Sequence, residues 1–327
     1  MQPLLKTLGL RIQLVESQGK TIYPVNGASL EVQHGEVLGV LGESGSGKST
    51  LAKALLRLLP KGAQVTEGTV EFEGRNLLAL EEKELERIRG ARIAMIPQEP
   101  GLALNPVMKV GDQIAEVIRA HRDWSAKPCR EEAEALLERM HLRSPDRRVY
   151  DAYPHQLSGG QQQRVVIAQS LACEPALVIA DEPTASLDSE TEEEILQLLR
   201  KLKADRKMSM LLITHDPKIL TGLADQVAVM YGGRVVEKGS LDQVFREPRH
   251  PYTRALLACV PPAPGDSGLA GGRLPTIEGS APDPEFIRVG CTFAPRCAQR
   301  MKLCESQAPS AVEMEDAGRV ECFLYGG

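Results

Sequence analysis

Aromatic residues are scarce in this chain: five phenylalanines, six tyrosines and one tryptophan make up 4% of its 327 residues. A core with so few rings has to be aliphatic. No run of 18 apolar residues is available to span a bilayer, and the longest runs, such as "ALVIA", are strand-sized. The N-terminal "MQPLLKTLGLRIQLVESQGK" is polar by residue 16 and offers no small-residue cleavage site, so no secretory signal is read there. An excess of positive charge is missing too. A formal net charge of −5 argues against a nucleic-acid partner, or an anionic lipid surface, held by bulk electrostatics. These absences predict a soluble, cytosolic protein, even if it works at a membrane. In a reducing cytosol its seven cysteines are not expected to form structural disulfides.

What is present is a strand–helix alternation with an interruption. Residues 1–40 read as strands ("LRIQLVE", "ASLEVQ", then the buried run "EVLGVLG"), and "KSTLAKALLRLL" follows as a helix closed by Pro60. A hairpin fits "GTVEFEGRNL", and "EEKELERIRG" reads as a polar helix ending on glycine. From about 110 to 172 the pattern is mostly helical. Strands and helices then alternate again through "ALVIADEP", "ETEEEILQLLRKLK", "MLLITHD" and "QVAVMYGGRVVEKG". The reading is an α/β fold with a parallel-sheet core, an antiparallel β subdomain and a helical insertion at about 99–172. It gives a first domain over 1–245. Past residue 240 the proline- and glycine-rich "VPPAPGDSGLAGGRLP" marks a linker inside a small, loop-rich module over 246–327.

Three motifs carry chemistry. "GESGSGKST", residues 42–50, is a complete G-x-x-x-x-G-K-[ST] phosphate-binding loop between a buried strand and a helix. Its glycines let backbone N–H groups converge on phosphate oxygens, and the helix N-terminus adds favourable partial charge. Lys48 would reach the β- and γ-phosphates and the Ser49 hydroxyl would ligate Mg²⁺. Gly42, Ser44, Gly45, Gly47, Lys48, Ser49 and Thr50 are the candidate ATP contacts; the plainer reading, a glycine-rich turn that merely caps a helix, is disfavoured by the strand–helix context. The second motif, "ALVIADEP", ends an apolar run on Asp181 and Glu182. A strand end delivering two adjacent carboxylates puts them on opposite sides of the pleat, one for the Mg²⁺ hydration shell and one facing an attacking water. The third, "LSGGQQQR" at 157–164, offers a helix N-terminus to an anion, capped by Ser158.

With all three in one chain, the sequence resembles the P-loop ATPase subunit of an ABC transporter. The resemblance implies that Ser158, Gly160 and Gln161 contact ATP bound to the opposite subunit of a dimer. It implies Glu182 as general base, Asp181 with Ser49 and Gln98 at Mg²⁺, and Gln98 of "IPQEP" as the link to a membrane partner. His215 of "LLITHD" matches the histidine that contacts the γ-phosphate, and Ser186, Leu187 and Asp188 match the loop at the dimer seam. For adenine stacking the local candidate is Tyr23, although an exposed strand-end tyrosine explains that residue as well.

The segment "REPRHPYTRALLACVP" at 246–261 resembles the peptide-importing branch, which serves dipeptides, oligopeptides, nickel and metallophores. In that branch a C-x5-C-x6-C run and a distant fourth cysteine are associated with a [4Fe–4S] cluster; here they are Cys291, Cys297, Cys304 and Cys322. Four soft thiolates favour iron–sulfur or zinc over harder metals, and zinc stays the alternative. The implied partners are a second ATPase subunit in a heterodimer, two transmembrane permease subunits and an extracytoplasmic binding protein. The implied place is the cytoplasmic face of the inner membrane. A soluble ABC-type mechanical ATPase is the remaining alternative. The four cysteines lie outside every nucleotide motif, so ATP binding is expected to survive their replacement. Cys129, Cys173 and Cys259 lack partners at metal spacing and read as small buried hydrophobes.

Overall fold

Two five-residue stretches, Val37–Leu41 and Leu177–Asp181, are buried at every position and form strands, the behaviour of strands covered on both faces. The computed structural model describes residues 2–16, 19–142, 149–185, 187–206, 208–260, 275–282, 285 and 289–326. Ser186 and nearly all of the proline–glycine linker lie outside the described residues.

In chain order the first elements are β1 (Leu5–Val15), β2 (Thr21–Val32), β3 (Val37–Leu41), α1 (Lys48–Leu55), β4 (Ala63–Phe72), β5 (Arg75–Asn76), α2 (Glu82–Ile88) and β6 (Ile93–Ile96). The helices α3 (Pro100–Ala103), α4 (Val110–His121), α5 (Ala126–Arg139) and α6 (Gly159–Leu171) follow. Alternation resumes with β7 (Leu177–Asp181), α7 (Ser189–Arg206), β8 (Ser209–Thr214), α8 (Pro217–Leu220), β9 (Gln226–Tyr231) and β10 (Arg234–Ser240). The chain closes with α9 (Leu241–Arg246), α10 (Pro251–Ala258), α11 (Leu303–Ser306), β11 (Val312–Glu313) and β12 (Arg319–Val320).

These elements pack as two units. The first gathers residues 1–32, 38–78 and 214–327. It contains an antiparallel sheet in the order β2-β1-β4-β5. It also contains the strand order β11-β12-β10-β9-β3, in which β3 and β9 are parallel and the rest antiparallel. The second unit gathers residues 33–37 and 79–213. In it β8, β7 and β6 run parallel in that order, and α3 to α6 supply the helical segment. The parallel strands and the antiparallel subdomain expected from the sequence are both there.

One helix end differs from the reading. The pattern carries α1 to Pro60, yet it stops at Leu55 because Arg57 turns left-handed (φ 52°). The Leu58 N–H then donates to Lys53 O and the Arg57 N–H to Ala54 O, a Schellman closure in which arginine takes the position usually given to glycine. No residue preference in the sequence announces it.

Candidate nucleotide site and four-cysteine module

In the first unit the phosphate-binding loop follows β3 and feeds α1, whose N-cap is Gly47 at φ 99°. The loop lies hard against its surroundings. A Cβ on Gly42 would sit 2.2 Å from the Met230 carbonyl oxygen, and one on Gly47 would sit 2.0 Å from that of Pro24. No other residue fits either place without moving backbone. Lys48 is buried, and its ammonium donates to the carbonyls of Gly42 and Glu43, both at 2.9 Å. The charge is thus held at the loop, where a phosphate would meet it. Tyr23 lies on β2 directly before Pro24 and is half-buried, so the candidate stacking ring sits one residue from the contact with Gly47. His215 follows β8 and is exposed; its turn is fixed by the Asp216 N–H donating to the Thr214 hydroxyl at 3.0 Å.

The second unit carries the carboxylates and the signature helix. Asp181 ends β7 and is 3% exposed. Glu182 corrects the sequence reading: the strand does not continue through it. It adopts a left-handed φ of 47°, and its N–H donates to Ile213 O at 2.9 Å. The turn, not the pleat, therefore separates the two carboxyl groups. Such a conformation costs on the order of 1 kcal/mol or more in a residue with a side chain, and it persists where surrounding contacts over-determine it. Gln98, two residues past β6, donates from Nε2 to Glu182 Oε2 at 3.3 Å, so the structure brings these two predicted residues together.

The signature helix α6 starts as the sequence predicts. The Ser158 hydroxyl accepts the Gln161 N–H at 3.3 Å, and the Gln161 side chain accepts the Ser158 N–H at 3.0 Å, a complete capping box. Gly160 meets the first turn of α7: a Cβ there would lie 2.3 Å from Thr191 Cγ2. Thr191 in turn donates its hydroxyl to Asp188 at 2.8 Å and its N–H at 3.0 Å. Those two bonds, the backbone one foremost, hold the Asp188 carboxyl below the usual carboxylate range.

Residues 246–327 belong to the first unit, and part of their packing is against the phosphate-binding loop. Three aromatic rings gather here. Tyr231 packs tilted against Tyr252 at 4.4 Å and meets Phe293 edge-on at 5.2 Å, with buried His250 beside them. The Tyr252 hydroxyl accepts the N–H of Glu43, the second residue of the loop, at 2.9 Å. Arg296, whose side chain is 5% exposed, donates to both carboxylate oxygens of Glu43, at 2.8 and 3.1 Å. Glu43 keeps that guanidinium protonated, above its already high range. Sequence reasoning missed Glu43, Tyr252 and Arg296. The arginine stands 253 positions from its partner, and no spacing rule links them.

Cys291, Cys297, Cys304 and Cys322 line one cavity whose other walls are mainly apolar, among them Phe293, Ala294, Pro309 and Phe323. The Cys291 N–H donates to Cys304 O at 2.8 Å, which pins two of the four segments together. Burial pushes the Cys291 thiol up to about 11, and raises Cys297 and Cys322 as well. Among the described residues no three histidine, cysteine or acidic side chains are set to close on one metal ion. All seven cysteines are free thiols. Of the other three only Cys129 is buried, Cys173 and Cys259 being half-exposed, so the hydrophobic reading holds for one of them. Among the described residues no helix is long and apolar enough to cross a membrane.

Comparison with known proteins agrees with this geometry. The family profile "ABC transporter" matches residues 25–185, and "Oligopeptide/dipeptide transporter, C-terminal region" matches residues 236–304. The chain is similar to the dipeptide transport ATP-binding protein DppD of Bacillus subtilis, at 40% identity over 99% of this chain and 95% of that one. It is also similar to the oligopeptide transport ATP-binding protein AppD of the same organism, at 38% identity over 99% of this chain and 98% of that one. Among solved structures, a dimer of the ATP-binding cassette MJ0796 in a post-hydrolysis state with ADP and Pi superposes with a TM-score of 0.65. It is 30% identical and covers 72% of this chain and 98% of that one.

Proposed function

From the premise that this chain belongs to the ABC transporter family and carries its oligopeptide/dipeptide C-terminal region, we propose that it hydrolyses ATP to power import of di- and oligopeptides across the cytoplasmic membrane. The observation that carries the hydrolytic part is the Gln98–Glu182 hydrogen bond, which ties the candidate general base to the loop expected to sense the membrane partner. Glu182 accepts a proton from water as the water oxygen attacks the γ-phosphorus, and the bond to the ADP oxygen breaks. Lys48, Ser44, Ser49, Thr50 and the loop glycines hold the phosphates, with Tyr23 beneath the adenine. Ser49, Asp181 and Gln98 are the residues that would hold Mg²⁺, and the ion would supply neutralisation of charge on the phosphate oxygens. His215 contacts the γ-phosphate, and Ser158, Gly160 and Gln161 complete the site of an opposing ATPase subunit.

That opposing subunit is a second, different ATPase chain, and the pair sits on two permease subunits fed by an extracytoplasmic binding protein. Support for a membrane partner comes from Leu102 and Val107, which follow Gln98 and are about 80% exposed. Apolar side chains that open to water suit burial under another protein. Glu182→Gln should leave ATP binding intact and cut turnover in the assembled complex by ~10² or more. The chain should also co-purify with its permeases from detergent-solubilised membranes. Near-normal turnover in the variant would remove Glu182 as base, and a chain that never travels with a membrane protein would favour the soluble mechanical ATPase.

For the thiols the reading is a [4Fe–4S] cluster. Four soft donors around one apolar cavity fit it, and a cubane takes each sulfur on a separate iron rather than drawing all four to a single point. A single zinc would need all four sulfurs about 2.3 Å from one centre. Bound, the cluster would staple a module with little core of its own. Anaerobically purified protein should carry about four irons per chain, and replacing any one of the four cysteines by serine should lower that content. Stoichiometric zinc without iron would overturn the assignment.

A further inference from the structure

The contacts at Glu43 join the C-terminal module to the nucleotide loop, and they bear on the expectation that the cysteines act apart from ATP. Glu43 is held at three groups. Its carboxylate takes two bonds from Arg296, its N–H goes to the Tyr252 hydroxyl, and its carbonyl accepts the Lys48 ammonium. Two of these three holds come from residues 246–327. Arg296 is itself fixed from behind: Nε donates to Glu278 O at 3.0 Å and Nη2 to Ile277 O at 3.2 Å. The short 3₁₀ turn that carries it, Ala294–Arg296, hangs between two of the four cysteines. The Ala294 N–H donates to Cys291 O at 3.1 Å and the Cys297 N–H to Ala294 O at 3.3 Å. Phe293, the N-cap of that turn, packs on Tyr252 at 5.4 Å, so one short piece delivers both the ring and the guanidinium.

We propose that Arg296 is a positioning residue for the phosphate-binding loop, acting through Glu43, and that it makes nucleotide affinity depend on the four-cysteine segment that carries it. A planar, two-pronged donor fixes both the place and the orientation of a carboxylate, which a single flexible contact does not. Holding Glu43 sets the path of the backbone from β3 into the loop whose N–H groups meet the phosphates. The inference rests on ATP binding at that loop and is independent of which metal, if any, the thiols take. Because coupling between sites is reciprocal, nucleotide that orders the loop also orders the turn beside Cys297.

The test uses the full chain and equilibrium binding of ATP with Mg²⁺, followed by displacement of a fluorescent ATP analogue. Arg296→Ala is expected to weaken ATP about tenfold, within the ordinary ~5- to 150-fold range of such couplings. Glu43→Ala is expected to weaken it by a similar factor. The double variant should be no worse than either single one, because the arginine acts through the glutamate. Arg296→Lys, which keeps the charge and loses the fork, should fall between wild type and alanine, and it serves where alanine fails to fold. A second readout is amide hydrogen exchange: saturating ATP should slow exchange of the Cys297 N–H, bonded to Ala294 O, in wild type and not in Arg296→Ala. Wild-type affinity in both Arg296 variants, or losses that simply add in the double variant, would overturn the proposal. Wild-type chain that does not bind ATP would instead sink the functional reading on which it rests.

Discussion

His250 shows how a single residue can give a stability profile its shape. It is almost wholly buried, its Nδ1 accepts the Tyr252 N–H at 3.0 Å as the N-cap of α10, and burial lowers its pKa from 6.5 to about 4. The unfolded chain therefore binds the proton first as pH falls. The stability that neutral His250 contributes is whole above pH 6.5, drains away between 6.5 and about 4, and changes no further below that. At about 1.4 kcal/mol per pKa unit the loss is on the order of 3 kcal/mol. His250→Asn keeps a side-chain acceptor for the cap and removes the titration. Urea midpoints measured from pH 4 to 7 should fall less steeply for that variant than for wild type; equal slopes would mean that other groups set the acid limit. Glu182 belongs at the same scale. The sequence marks its chemistry plainly, while its left-handed turn is invisible there, since glutamate has no preference for that conformation.

At the scale of elements, the meeting of α6 with the start of α7 is the most constrained contact of the signature motif. Gly160→Ala places a methyl 2.3 Å from Thr191 Cγ2, and the Thr191 side chain cannot swing away without losing its hydroxyl bond to Asp188. Overpacking of this kind should cost about 1–3 kcal/mol. Thr191→Ser removes the clashing methyl and keeps the hydroxyl, so the double variant should recover most of the melting temperature lost by Gly160→Ala. No recovery would place the strain elsewhere. The elements themselves were mostly legible, because apolar runs such as "VLGVL" and "LVIAD" and the S-x-x-Q box at Ser158 are local signals. The Schellman end of α1 on Arg57 was not, since position and packing, rather than residue type, put that arginine in a left-handed turn. Nor was the Arg296–Glu43 pair, whose members meet only through the tertiary fold. The nucleotide motifs declare themselves in short runs of sequence; what braces them does not.

For the whole molecule, the first unit draws on both ends of the chain. β12 pairs with β10 through Glu237↔Val320 and Lys238↔Arg319, and the buried Glu321 carboxylate beside it accepts from Arg234 at 2.9 Å. Cutting the chain after residue 245 would strip that strand from β10, both ring partners from Tyr231, and Arg296 from Glu43. The shortened chain should melt at least several degrees lower, and its affinity for ATP should drop further than in Arg296→Ala. A fragment as stable as the full chain would show residues 1–245 to be self-sufficient. This strand pairing has a consequence for how the protein is made. Residues 1–32 and 38–78 leave the ribosome early, yet strands and side chains they are organised with come from residues 214–327, translated much later. At ordinary elongation rates that is a wait on the order of tens of seconds. During that time the second unit, nearly continuous in sequence, is free to fold while the nascent first unit stands with open strand edges. Chaperone capture should therefore centre on the N-terminal β-rich segment, and slow codons late in the message would prolong its exposure.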